Sequence, residues 1–299
     1  MHLTGETYSS KAAAGEIHRQ VFHPDSGDGE LIGSVLLLHG LGDHLGCHLP
    51  AAELFCQRGY LGVGVDWPGH GRSAGKRGHI LGLDPTFGLI DETLDWLSKQ
   101  PRPRGSRGIY AHSTGAFVLL NYLLRQQTQQ GQVGDSTLFD WIWLSSPLLR
   151  PDHGQNPLLI FGAKWLAKLA PTLILDTKVR PERCRHVPAE GVTASPEMDG
   201  CHHWVSAAFG GDLVRRGHRI NQTATAITEP TRVLITQGAE DEICPPRFSE
   251  AFFREIPAPD KTYVILPGMR HEVMREPGNE AAVERITAWL DENPSMVRH

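Results

Sequence analysis

The sequence predicts an α/β protein in which a mainly parallel sheet is flanked by helices and carries an inserted, mostly helical lid. Three observations favour this class. Short apolar runs alternate with longer helical stretches, the runs are continuous and not interrupted by polar residues, and one interval of about 80 residues breaks the rhythm. Continuous apolar runs are typical of strands buried on both faces of a sheet. The 299 residues, 40% of them hydrophobic, are enough to build a large core.

Strands are predicted where β-branched and aliphatic runs end in glycine, serine or an acidic residue. They cover residues 34–40, 60–66, 108–113, 141–146, 232–238 and 262–268. Helices are predicted by apolar periodicity between and after these strands. They cover residues 51–57, 87–100, 115–129, 246–256 and 280–290. Open α/β sheets bind ligands at the carboxyl ends of their strands, so functional residues are expected there.

The interval that breaks the rhythm spans residues 148–229, where no clear strand is visible. It is too long for a plain connecting loop, which indicates an inserted lid subdomain. We therefore expect a first core segment of residues 1–147, the lid of residues 148–229, and a second core segment of residues 230–299.

Composition and charge limit the expected partners and the location of the protein. Lysine and arginine number 29 against 34 acidic residues, a net charge of −5, and no basic block could neutralise a run of phosphates, so nucleic acid is not an expected partner. The first residues lack the pattern of a secretory signal, and no apolar run is long enough to span a bilayer. Five scattered cysteines favour reduced thiols. These features predict a cytoplasmic protein and leave its oligomeric state open.

The stretch GIYAHSTGAFV, residues 108–118, places Ser113 between a strand and a helix. Ala111 and Gly115, two residues before and after the serine, are small enough for the tight turn of a nucleophile elbow, although glycine is usual at the first position. The free amides at the start of the following helix would face developing negative charge. Ser113 is therefore a candidate nucleophile.

A serine hydroxyl needs a base to take its proton and an acid to orient that base. Asp241 follows the strand of residues 232–238, and His271 follows the last strand, in the chain order that this architecture uses. Glu240 and Glu242 flank Asp241 and remain alternatives for the acid. We expect Asp241 as the acid and His271 as the base.

An oxyanion needs two backbone donors. The segment LLLHGLGDH follows the first strong strand, and its turn can point the N–H of Leu41 towards the pocket. The second donor is expected to be the N–H of Thr114, directly after the nucleophile. His39 is expected to hold this loop by hydrogen bonds and not to act as an acid or base.

The segment NPLLIFGAKWLAKLAPTL in the interval of residues 148–229 predicts an amphipathic helix. Its apolar stripe could pack on the core, line an apolar pocket or rest on a membrane surface. The stripe consists of Leu158, Phe161, Trp165, Leu166 and Leu169, with Lys164 and Lys168 on the opposite side.

A group of cysteines and histidines in the same interval raises the question of zinc. Its members are Cys184, His186, Cys201, His202 and His203. Structural zinc sites usually show Cys-x2–4-Cys or His-x3–5-His spacing, which this group lacks. No metal is expected.

Five segments, in order, resemble the α/β-hydrolases of the monoacylglycerol lipase and lysophospholipase type. They are HGLGDH, DWPGHGRSAGKRGHI, AHSTGA, QGAEDEICPP and PGMRHEV, spread over residues 31–290. The resemblance implies the α/β-hydrolase fold and a serine esterase or lipase that needs no cofactor. It also implies that Ser113, Asp241 and His271 form the triad and that Leu41 and Thr114 supply the oxyanion amides. Asp66, His70 and Arg72 are expected to be structural.

The predicted reaction is cleavage of a carboxylic ester, such as a monoacylglycerol or lysophospholipid, through an acyl-enzyme. Acyl transfer or thioester hydrolysis by the same triad, and a non-catalytic binding protein, are the alternatives. Phe161, Trp165 and Trp204 are predicted to contact the acyl chain. The predicted partners are a small-molecule or lipid ester and, transiently through the lid, a membrane surface.

Overall fold

The computed structural model describes residues 1–25, 31–100, 105–129, 138–186, 200–228 and 231–292. Its strands are β1 (His2–Ser10), β2 (Gly15–His23), β3 (Gly33–Leu38), β4 (Tyr60–Val65), β5 (Ser106–His112), β6 (Trp141–Ser145), β7 (Ile174–Asp176), β8 (Trp204–Ser206), β9 (Arg232–Gly238) and β10 (Lys261–Leu266). Its helices are α1 (Leu49–Gln57), α2 (Leu83–Ser98), α3 (Thr114–Gln129), α4 (Pro157–Leu169), α5 (Pro181–Cys184), α6 (Ala207–Gly217), α7 (Ile220–Thr223), α8 (Pro246–Glu255) and α9 (Glu280–Asp291).

Eight of these strands form one sheet in the order β1-β2-β4-β3-β5-β6-β9-β10. β1 and β2 pair antiparallel, β2 pairs antiparallel with β4, and the remaining neighbours are parallel. The predicted α/β class and mainly parallel sheet are confirmed. The hairpin of β1 and β2 was missing from the sequence prediction, because β1 is mostly exposed and polar.

The sheet is covered by helices on both faces because its buried strands alternate their side chains between two apolar clusters. Leu36 and Leu38 of β3 pack in one cluster with α2, α3 and α8. Val35 and Leu37 pack in the other with α1 and α9. This arrangement fixes the carboxyl ends of β3, β5, β9 and β10 along one edge of the sheet.

The interval of residues 148–229 differs from the sequence prediction in two ways. It contains strands, since β7 and β8 form a small antiparallel pair. Its second half is also part of the core, because Phe209, Leu213 and Ile220 pack in the same apolar cluster as the sheet. The part that stands apart from the core is therefore shorter than predicted. Glu229, the expected end of the lid, lies outside the described residues.

Helix α4 lies at the surface and packs against α6. Phe161, Trp165 and Leu169 are 76%, 62% and 82% exposed. The side chains of Leu158 and Lys164, which the sequence placed on its two faces, lie outside the described set. In the described part of the chain, no helix is both long and apolar enough to cross a membrane.

Candidate active site

Ser113 lies on the sharp turn between β5 and α3. Its φ is +53°, a left-handed conformation that is uncommon and strained for a residue with a side chain. The Ser113 N–H donates to Ser145 O at 3.0 Å, which ties the turn to the neighbouring strand. A Cβ on Gly115 would lie 2.4 Å from Leu38 O, so only glycine lets α3 approach β3 this closely. The small residue in this position is thus a steric requirement of the turn.

The structure brings together the three side chains that the sequence singled out. His271 Nε2 lies 2.9 Å from Ser113 Oγ, and His271 Nδ1 lies 2.8 Å from Asp241 Oδ2. Asp241 and His271 are buried, and Ser113 reaches the cavity described below. In this arrangement Nδ1–H donates to the carboxylate, and Nε2 is the atom that can accept the serine proton.

Asp241 is held by more than its histidine. Gln237 Nε2 donates to Oδ2 at 2.8 Å, and the N–H groups of Ile243 and Cys244 donate to Oδ1 at 2.9 and 2.8 Å. Four donors in total therefore fix this carboxylate. Glu240 and Glu242, the alternatives left open by the sequence, are exposed.

The charge of Asp241 changes the basicity of His271. Burial alone would lower the pKa of His271, but the Asp241 carboxylate and its hydrogen bond, helped by Glu272 and Asp43, raise it above the ordinary value of 6.5. The imidazole is thus a stronger base than in water, although it is enclosed by protein.

The loop after β3 passes directly beside the serine. A Cβ on Gly40 would lie 3.3 Å from Ser113 Cβ. His39 fixes this loop: its Nδ1–H donates to Gly40 O at 2.8 Å, and its Nε2 accepts from the Trp67 N–H at 2.9 Å. Burial holds the pKa of His39 well below its usual range, which suits the structural role expected from the sequence. Leu41 and Thr114 both line the cavity, while their oxyanion roles remain predictions.

A second loop, after β4, supports the first. Asp66 accepts hydrogen bonds from the N–H groups of Leu45 and Arg72, each at 2.9 Å. His70 is buried, and its Nδ1–H donates to Pro68 O at 2.9 Å. These contacts fit the structural role expected for Asp66 and His70, whereas Arg72 contributes only its backbone N–H and its structural role stays a prediction.

A cavity of about 490 Å³ opens above the serine, lined by Ser113, His271, Leu41 and Thr114 at its floor. Such a volume is in the usual range for small-molecule sites. The inserted interval supplies most of its apolar wall, including Leu148, Pro151, Ile160, Leu166, Leu175, Val179, Val205, Leu213 and Val214.

The three aromatic residues predicted to contact an acyl chain are placed elsewhere. Phe161, Trp165 and Trp204 are exposed and are not among the residues that line the cavity. The reason lies in the rotation of α4, which turns Ile160 and Leu166 inward and Phe161 and Trp165 towards solvent. We therefore correct this prediction.

The cysteine and histidine residues considered for zinc make separate contacts. His186 Nδ1 contacts Glu276, the His202 ring lies 4.5 Å from that of His70, and Cys184 O accepts from the Glu272 N–H. Cys201 lies 3.3 Å from Cys47, a residue outside the predicted group.

Sequence reasoning missed two features that support the site. Gln237 is buried behind Asp241, and nothing in its strand distinguishes it from an ordinary core position. Asp43 and the buried His48 form a hydrogen bond, with 2.7 Å between Oδ2 and Nε2. Burial opposes the charge of Asp43, but His48 holds the pKa of Asp43 well below its usual range. Asp43 is in the HGLGDH segment, which was the only sequence signal for it.

Comparisons with known proteins show the family of the chain. The model of the family described as "Serine aminopeptidase, S33" (Hydrolase_4) matches residues 29–278. A monoacylglycerol lipase of Mycolicibacterium smegmatis is 28% identical over 266 residues, covering 86% of this chain and 88% of that protein.

Solved structures show the same fold. The monoacylglycerol lipase of Paleococcus ferrophilus is 26% identical, with a TM-score of 0.74 over 97% of this chain and 98% of its own. The monoglyceride lipase of Saccharomyces cerevisiae is 21% identical, with a TM-score of 0.77 over 98% and 95% of the two chains. The predicted α/β-hydrolase fold, the resemblance to monoacylglycerol lipases and the class of carboxylic ester hydrolase are confirmed. The chain belongs to the Hydrolase_4 family of α/β-hydrolases.

Proposed function

We propose that this protein hydrolyses carboxylic esters of the monoacylglycerol class, with Ser113 as nucleophile, His271 as base and Asp241 as the acid that orients it. One observation carries the proposal: the hydrogen-bonded row from Asp241 through His271 to Ser113 ends at the floor of a largely apolar cavity. The names of the relatives support the choice of substrate class.

In the first step, His271 Nε2 takes the proton of Ser113 while Oγ attacks the ester carbonyl. The carbonyl oxygen becomes an oxyanion that the N–H groups of Leu41 and Thr114 stabilise. Losing one such donor typically costs about 3 kcal/mol of transition-state stabilisation. The protonated His271 then gives its proton to the leaving alcohol, and the acyl group stays on Ser113.

In the second step, His271 takes a proton from water, which attacks the acyl-enzyme and releases the carboxylic acid. Asp241 stabilises the imidazolium in both steps without itself being protonated. An alcohol or thiol that replaces the water would turn the same steps into acyl transfer. Access to the cavity decides between these outcomes, and we assign hydrolysis because water needs no further binding site.

The inserted interval shapes the substrate preference. Ile160 and Leu166 of α4 and Val205 of β8 line the cavity with aliphatic side chains. Burying an acyl chain there is favourable by about 0.8 kcal/mol per methylene. We propose that residues 148–186 and 200–206 act as the lid of the site and bind the acyl chain of the ester.

The test is hydrolysis of p-nitrophenyl esters from acetate to palmitate, together with a monoacylglycerol and lysophosphatidylcholine. Wild type should cleave them and Ser113→Ala should not. Ser98→Ala, which removes an exposed serine at the end of α2, is the matched control and should retain full activity. An aminoacyl p-nitroanilide tests peptidase activity, which the family description names. Activity on the anilide but not on esters would overturn the proposal, as would cleavage of esters by Ser113→Ala.

We further propose that α4 rests on the lipid surface that holds such esters. Phe161, Trp165 and Leu169 are exposed on the same helix whose Ile160 and Leu166 line the cavity, so a lipid bound there would have a short path to Ser113. Exposed Lys168 can contact anionic head groups.

Vesicles of phosphatidylcholine and phosphatidylglycerol test this contact by co-sedimentation. Phe161→Ser combined with Trp165→Ser should weaken binding at least about tenfold, since each large apolar side chain contributes about 1.5–3 kcal/mol when buried. Leu3→Ser, at an exposed apolar residue of β1, is the control and should bind like wild type. Equal binding by all three proteins would contradict the assignment.

A further inference from the structure

Two cysteines lie in contact beside the active site, although they are 154 residues apart in the chain. Cys47 Sγ and Cys201 Sγ are separated by 3.3 Å. A disulfide bond has a sulfur–sulfur distance of about 2.05 Å, so closure would need a shift of little more than about 1 Å. None of the five cysteines, all of which are described, forms a disulfide in this structure.

The two cysteines belong to segments that already contact each other. Cys47 lies in the turn that follows the loop carrying Leu41. Cys201 precedes His202, whose N–H donates to Gly42 O at 2.8 Å. A Cβ on Gly42 would lie 1.8 Å from His202 O, so the two backbones are in close contact. Residues 200–206 thus form a roof segment directly over the oxyanion loop of residues 40–44.

The two thiols differ in access. Cys201 is half-buried and lines the cavity, so a small reagent that enters the cavity can reach it. Cys47 is buried. We propose that Cys47 and Cys201 form a reversible disulfide with each other by exchange with low-molecular-weight disulfides such as oxidised glutathione. This bond braces the roof segment against the oxyanion loop.

The exchange proceeds in two balanced steps. Cys201 attacks one sulfur of the small disulfide, a mixed disulfide forms, and the first small thiol leaves with the proton of Cys201. Cys47 then attacks Cys201 Sγ, the bond between the two protein sulfurs forms, and the second small thiol leaves with the proton of Cys47. Two electrons and two protons pass from the protein to the small disulfide. The contact with Cys201 and burial raise the pKa of Cys47, so its thiol is a poor nucleophile for the first step, which falls to the accessible Cys201.

The alternative to a disulfide is a metal site, because His44, Cys47 and Cys201 have donor atoms within 4.8 Å of one another. The tautomer of His44 argues against it. His44 Nδ1 accepts from the Gly46 N–H at 3.1 Å, so the neutral ring carries its hydrogen on Nε2 and has no lone pair left for a metal.

The test equilibrates the reduced, full-length protein with mixtures of reduced and oxidised glutathione, followed by alkylation and peptide mapping under non-reducing conditions. We expect a linked peptide pair containing Cys47 and Cys201, which dithiothreitol reverses. Cys47→Ser should accumulate the mixed disulfide between Cys201 and one glutathione. Cys201→Ser should form no mixed disulfide with glutathione. Cys56→Ser, at a buried thiol of α1, is the matched control and should form the link like wild type.

Two results would overturn the disulfide: no linked peptide in any mixture, or one equivalent of Zn²⁺ bound by reduced wild type and lost in both Cys47→Ser and Cys201→Ser. Hydrogen exchange tests the brace without an activity assay. Amides of residues 40–47 and 200–206 should exchange more slowly in the oxidised form, with no such change in glutathione-treated Cys47→Ser. Unchanged exchange in the linked protein would overturn the bracing.

Discussion

Helices α3 and α4 both carry many apolar side chains, but their surroundings are opposite. The first ten residues of α3, from Thr114 to Leu123, are all buried. In α4, Phe161, Trp165 and Leu169 face solvent, and only part of the helix lines the cavity. The candidate nucleophile is thus followed by a helix whose first ten residues are enclosed, whereas the helix that we propose to contact the acyl chain has an exposed face.

This difference separates two kinds of residue. Changes around α3 act on reaction geometry or on folding, because its neighbours cannot rearrange. We expect changes on α4 to act on the choice of substrate, because Ile160 and Leu166 line the cavity beside Ser113. Substitutions in the triad and in the two helices test this division.

Asp241→Asn should lower kcat/KM on p-nitrophenyl acetate by about 10⁴, the size of the effect when a triad aspartate loses its charge. The substitution keeps the side chain's shape but removes the acceptor that fixes Nδ1–H on His271. Glu240→Gln, one residue away and exposed, is the control and should have little effect. A larger loss of activity in Glu240→Gln than in Asp241→Asn would show that Glu240, and not Asp241, is the acid.

The pH dependence of kcat/KM should report His271. Protonated His271 cannot accept the serine proton, and the charge of Asp241 raises its pKa above 6.5 against the effect of burial. Activity should therefore be lost as the pH falls through a midpoint above 6.5, and then decrease about tenfold for each further pH unit. A flat profile between about pH 5 and 8 would exclude His271 as the base, since an unperturbed imidazole titrates in that interval.

Two glycines inside helices should respond oppositely to alanine. A Cβ on Gly115 of α3 would meet Leu38 O at 2.4 Å, whereas one on Gly162 of α4 would meet nothing within 4 Å. Gly115→Ala should lower the free energy of unfolding by about 3 kcal/mol, because backbone must move to admit the methyl group. Gly162→Ala should raise it by about 0.5–1 kcal/mol through helix propensity. Urea denaturation measures both, and similar changes in the two variants would contradict the comparison.

Neighbouring residues of α4 should differ in their effect on acyl preference. Leu166 lines the cavity, while Trp165 is exposed. Leu166→Ala should change the ratio of kcat/KM for long and short p-nitrophenyl esters by up to about tenfold, the usual range for a few methylenes. Trp165→Ala should leave this ratio unchanged when the esters are assayed below their critical micelle concentrations. Equal changes in both would mean that the exposed face also contacts the bound ester.

The core of this protein could be predicted from sequence because its signals are local. Six apolar runs predicted parallel strands, and each of the six corresponding strands in the structure lies within two residues of the predicted bounds. Ser113, Asp241 and His271 were identifiable because each directly follows such a strand. Glu240 and Glu242 could not be excluded by position, since all three residues share one turn, and burial and the hydrogen bond to His271 distinguish Asp241 only in the structure.

The remaining features depend on contacts between distant segments. The stripe on α4 indicated an apolar side, but not how the helix is rotated against α6, so the aromatic residues were placed in the cavity incorrectly. The polar β1 has no burial pattern from which a strand could be read. Cys47 and Cys201 come together only because the roof segment packs on the loop after β3.

Labelling with a fluorophosphonate tests most directly whether His271 activates Ser113. Intact mass and peptide mapping should show one adduct per chain, on Ser113, in wild type. His271→Ala should form this adduct far more slowly, because the serine then lacks its base. An adduct on another serine, or equal labelling rates for the two proteins, would contradict the account.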